Sequence, residues 1–84
     1  MTNDVIQATP KRGDTCANGA IILEVKSSWS ENPSWIVLCL FIESKHDPYV
    51  TWVSWYDEAG KLRTVMGHYH DRLSQAIVDF DSRS

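Results

Sequence analysis

The chain is short of cysteine, of glycine and of positive charge, and it has no long apolar run. Each shortage excludes something. Two cysteines, Cys16 and Cys39, permit a single disulfide and form no metal pair by spacing. We expect both to be reduced, with Cys39 acting as a small hydrophobe in mid-strand. The four glycines make no phosphate-cradling loop. Lys and Arg number 8 against 11 Asp and Glu, a net charge of -3, which argues against a protein built to neutralise a phosphate backbone. The longest apolar run, Trp35 to Ile42, has the length of a strand and falls far short of a bilayer span. The opening residues lack the charged-then-apolar order of a secretory signal, so a cytoplasmic protein is expected.

What is present is a globular composition in 84 residues, 43% hydrophobic and 23% charged, hence a single domain. So short a chain buries only about 60% of its unfolded surface, which makes oligomers a natural remedy. Four tryptophans offer large area for a core or an interface.

Residues 1–19 are polar, broken by Pro10, Gly13 and Gly19, and read as a mobile arm with a tight turn at Asn18-Gly19. Residues 20–84 read as the domain. "AIILEVKSSW" alternates Ile21, Leu23 and Val25 against Ile22, Glu24 and Lys26, the period of a strand. "SSWSENPS" is turn chemistry. "WIVLCLFIES" is apolar on both faces and should be a covered central strand. "YVTWVSWY" and "LRTVMGHYH" follow as strands, joined by "DEAGK" with Gly60 at the position that needs positive φ. Leu73, Ala76, Ile77 and Phe80 recur at helical spacing behind Asp71, an N-cap candidate. The expected fold is α+β: a four-stranded antiparallel sheet, β-β-β-β-α, with one C-terminal helix packed on one face.

Pairing the last two strands about a Glu58-Ala59-Gly60 loop sets Trp55 opposite Arg63, Val53 opposite Val65, Trp52 opposite Met66 and Tyr49 opposite Tyr69. Val50, Trp52, Tyr56, Leu62 and Met66 then share a face, which we assign to the helix. Tyr49, Val53, Trp55, Arg63 and Tyr69 share the other and form the candidate interaction surface. One helix covers one face only. The second needs the arm, a second copy of the chain or a protein partner, with Trp, Tyr and Arg as the usual interface anchors.

The chemistry-bearing residues are sparse. His68 and His70 point to one side of a strand and could supply two ligands to zinc, but no third ligand is evident. Gly67-His68-Tyr69-His70 therefore reads as a strand end, with Gly67 allowing a bulge or a close backbone approach. A dyad of Cys39 with His68 would lack the electropositive surroundings that make a thiolate. Asp57-Glu58 and Asp79-Asp81 read as solvated surface. No catalytic residue, metal or cofactor is assigned, and a small metal-binding protein built on the histidines stands as the weaker alternative. An aromatic platform for single-stranded nucleic acid, using Tyr49, Trp55 and Tyr69 with Arg63, is the alternative, against which the acidic balance weighs.

"PYVTW", "GHYH" and "AIVDFDSR", with "ANGA" at Ala17 to Ala20, resemble a group of small uncharacterised proteins of bacteriophages and other mobile elements of bacteria, especially actinobacteria. The shared features fall on Tyr49 to Trp52, Gly67 to Tyr69, and Ala76, Asp79, Phe80 and Arg83. The resemblance brings no catalytic residues. It implies a bacterial host cell and an accessory or inhibitory protein that binds a host or phage protein, and it marks "GHY" as a strand-to-helix junction.

Overall fold

The computed structural model of the chain describes residues 9–28 and 33–83. Val5 and Ile6 of the expected arm, and the centre of the "SSWSENPS" turn, lie outside the described residues. The elements are β1 (Ile21–Ser27), β2 (Trp35–Leu40), β3 (Tyr49–Tyr56), β4 (Leu62–His70) and α1 (Leu73–Ser82). The sheet is antiparallel throughout, in the order β1-β2-β3-β4, as short connections dictate. The expected α+β architecture is the one observed.

Residues 9–20 are packed rather than splayed from the sheet. Pro10 and Ala20 are fully buried, and Cys16 nearly so. Gly13 N–H donates to the Ile22 carbonyl at 2.8 Å, and Ala17 N–H donates to that of Leu62 at 2.8 Å. The turn expected at Asn18-Gly19 closes this segment. Gly19 has φ 90°, its N–H donates to the Cys16 carbonyl, and the Asn18 side chain accepts from Ala20 N–H. One face of the sheet thus packs Ile22, Val37, Cys39, Val50, Trp52 and Leu62 against Cys16 and Ala20. The cover that β2 requires on its second side comes from within the chain, which removes the motive for a homodimer through that face.

The helix lies on the opposite face, where Ala76 and Phe80 bury against Ile36 and Leu38. This corrects the face assignment. Val50, Trp52, Tyr56 and Leu62 do share a side, but it is the one under residues 9–20; Tyr49 and Val53 are under the helix. The physical reason lies in the covers. Flat small residues and backbone suffice over two tryptophans, whereas the aliphatic face needs the bulk of Phe80.

Two bulges interrupt the alternation, both in edge strands, where bulges also blunt unwanted pairing. In β1 the register slips between Ile22 and Glu24. Ile22 and Val25 therefore share the face covered by residues 9–20, and Leu23 turns to the helix side with Lys26, whose Nζ sits 4.9 Å over the Phe80 ring. In β4 the slip falls between the partners of Thr51 and Val53.

Asp71 is not the helix cap. The chain needs Asp71 and Arg72 to turn out of β4, so Arg72 occupies the N-cap in extended backbone, with no side-chain capping bond.

Candidate functional site

The hairpin between β3 and β4 follows the expected pairing at its closed end. Trp55 faces Arg63 and Val53 faces Val65, with Gly60 at φ 78° in the loop. Asp57 organises the turn. Its carboxylate accepts from the N–H groups of Ala59 and Lys61, each at 2.9 Å, and from Arg63 Nε at 2.7 Å. The Lys61 N–H first, and Arg63 after it, hold that carboxyl below the ordinary range.

Beyond Val65 the chain inserts one residue. Met66 takes φ 56°, the left-handed region that an L-residue rarely adopts. Pairing then resumes as Thr51 with His68, Val50 with Tyr69 and Tyr49 with His70. A one-residue slip changes the face of every later side chain. Tyr69 therefore stands edge-on to Trp52, with ring centroids 6.0 Å apart, on the face covered by residues 9–20. His68 and His70 turn to the helix.

The expected surface of Tyr49, Val53, Trp55, Arg63 and Tyr69 is divided by this slip. Tyr49 and Val53 pack beneath the helix, Trp55 and Arg63 pair across the strands, and Tyr69 faces the other way. Three aromatics on one stacking platform are not assembled.

What the helix face assembles instead is a polar cluster centred on Asp79. Thr51, wholly buried on β3, donates its hydroxyl hydrogen to Asp79 Oδ2. His68 Nδ1 lies 3.0 Å from both carboxylate oxygens. A carboxylate only accepts, so Nδ1 carries the proton. His70 Nε2 is 3.5 Å from Oδ2, too far for a well-formed hydrogen bond, and is buried without another partner among the described residues. Arg83 closes the far side. Its Nη1 donates to the Thr51 hydroxyl oxygen at 2.9 Å and to the Thr51 carbonyl at 3.2 Å, and its Nη2 to the Met66 carbonyl at 2.9 Å. Burial pushes the Asp79 carboxyl up. Hydrogen bonds from Thr51 and His68 outweigh it, with the charge of His68 and the contact to His70, and leave the carboxyl below its ordinary range.

This order of groups differs from a nucleophilic relay, in which a base sits between nucleophile and acid. Here the carboxylate sits between the hydroxyl and the imidazole, so no imidazole reaches the Thr51 oxygen. Among the described residues no group of three or more His, Cys, Asp and Glu side chains is placed to hold a metal ion. The arrangement ties three elements together: α1 through Asp79, β3 through Thr51 and β4 through His68. Sequence reasoning passed over Asp79 as solvated surface. Its helical phase is the one signal that could have found it, since Asp79 lies three residues after Ala76, on the side that faces the sheet.

A second feature flanks α1. Leu23, Leu38, Leu73, Ile77 and Phe80 line an open groove of about 400 Å³, bordered by Glu24 and Asp81. The helical stripe expected to be buried is only half used: Ala76 and Phe80 are buried, while Leu73 and Ile77 are exposed at 41% and 42%, beside Val78 at 69%. No helix among the described residues is long and apolar enough to cross a membrane. No family model matches this chain, and neither a curated protein nor a solved structure matches it.

Proposed function

We propose that the domain is a non-enzymatic accessory protein that works by contact with another protein, in the setting of a bacteriophage or mobile element and its host cytoplasm. The observation that carries this reading is the uncovered apolar surface of α1, where Leu73 and Ile77 line the groove partly in water and Val78 stands exposed further round the helix. A helix of a lone domain usually presents polar residues outward, and an apolar patch of this kind marks an interaction site. Asp81 borders the groove, Glu24 does so already paired with Arg12, and the net charge is -3. The partner that fits is an apolar protein segment with a basic residue toward Asp81, steered by the net negative charge. Blocking a host or phage protein by occupying such a segment would be its mode of inhibition.

The test compares two baits in lysate of the native host. Ile77→Gln/Val78→Gln removes the exposed apolar groups without adding charge and should keep the fold, at a cost of about 1 kcal/mol or less. A protein captured by the wild type and lost with the variant supports the reading. Identical capture profiles from the two baits exclude this face as the contact.

A further inference from the structure

We infer that Cys16 and Cys39 form a redox pair, in which Cys16 attacks a small-molecule disulfide that enters from a surface cleft and Cys39 resolves the adduct into an internal disulfide. The two thiols are free, buried, and 3.9 Å apart sulfur to sulfur, although 23 residues separate them in the chain. A disulfide needs about 2.05 Å between sulfurs, so closure asks for an approach of about 2 Å, the scale of a side-chain rotation. The two cysteines are not equivalent. Cys16 lies in the covering segment and lines an open cleft of about 290 Å³ with Tyr56, Lys61 and Leu62. Cys39 sits in β2 behind it, with no exposed surface. Cys16, 5% exposed, borders the cleft and Cys39 does not, the division of labour between an attacking and a resolving thiol. The contact works in the same direction. The hydrogen bond from Cys39 pulls the Cys16 thiol below its ordinary value against the effect of burial, while the same contact and burial push Cys39 up.

The steps balance as two exchanges. The Cys16 thiolate attacks one sulfur of the disulfide RSSR, forming Cys16–S–S–R and releasing RS⁻. That thiolate, or solvent base, takes the Cys39 proton. The Cys39 thiolate then attacks the Cys16 sulfur and expels the second RS⁻, which is protonated. In sum, two protein thiols and RSSR give one protein disulfide and two RSH. The product staples residues 9–20 to the central strand they cover.

The experiment uses the whole chain and glutathione disulfide as the probe. Native protein is incubated, quenched with acid, and weighed intact. The wild type should lose about 2 Da, the two thiol hydrogens, without a lasting glutathione adduct. Its unfolding midpoint should rise by about 15–25 °C, as expected for closing a loop of this length in a small domain. Cys39→Ala should retain a glutathione adduct on Cys16, and Cys16→Ala should gain neither adduct nor bond. The wild-type measurements need no variant, so they stand even if an alanine destabilises the fold. A wild type that stays a dithiol in excess glutathione disulfide overturns the inference. So does a midpoint that does not rise on oxidation, or a folded Cys16→Ala that is glutathionylated as fast as Cys39→Ala.

Discussion

A Cβ placed on Gly67 would lie 2.5 Å from the indole nitrogen of Trp52. The indole cannot yield, because Phe41 and Tyr69 hold it edge-on from two sides, with centroids at 5.6 and 6.0 Å. Residue 67 must therefore lack a side chain. The left-handed position of the same bulge falls one residue earlier, on Met66. The two demands that glycine commonly meets are split between neighbours, and only one of them has the glycine.

Gly67→Ala should lower stability by about 1–3 kcal/mol through overpacking. Met66→Gly should raise it by about 1 kcal/mol, by removing left-handed strain from a side chain that is 71% exposed and buries little. Urea unfolding of both variants checks the pair. Equal and small effects would mean that the bulge is not held in this conformation.

The alternation of β3, the hairpin turn and the order of elements were all legible, because each depends on a local pattern: period two, Asp57 and Gly60 around a short loop, and helical spacing after Asp71. The bulges were not, since an inserted residue costs the sequence no visible mark beyond Gly67. Nor was the choice of face for the helix. β2 is apolar on both sides, and the segment that covers one of them does so with Pro10, Cys16 and Ala20, small residues with no period. The Asp79 cluster was hidden for the same reason, because His68 reaches it only through the slip at Met66.

Ala20→Leu tests that cover. Ala20 has no exposed surface, so a larger side chain should cost about 1–3 kcal/mol. A substitution in an unpacked arm would be neutral. Thermal unfolding separates the two.

Phe80→Ala should cost about 3–5 kcal/mol, the range for a buried aromatic. Ile77→Ala, one turn earlier in α1 and half exposed, should cost less than about 1 kcal/mol. A large loss at Ile77 would place that residue under the helix rather than at the groove.

Asp79 predicts a pH dependence. Its folded carboxyl titrates below the ordinary range, so the unfolded chain binds the proton more readily. The stability it contributes is complete above the unfolded value and lost as pH falls through the folded one. The wild type should weaken below about pH 4. Asp79→Asn should be less stable at neutral pH by about 1–3 kcal/mol, for the disrupted bonds to Thr51 and His68, and should weaken less in the acid. Parallel stability curves for the two proteins across that interval would show that Asp79 is not the group responsible.

β2 has a strand on each edge and a cover on each face, and Val37 and Cys39 have no exposed surface at all. Fraying at β4 leaves β2 flanked by β1 and β3, and lifting either cover leaves the ladder intact. Solvent reaches these amides only when β1 leaves the sheet or the whole molecule comes apart, so their deuterium uptake should be slow. Exchange at these two positions reports how firmly β1 is held to the sheet as well as global stability, whereas β4 beyond Met66, with one edge open to water, exchanges on its own shorter clock.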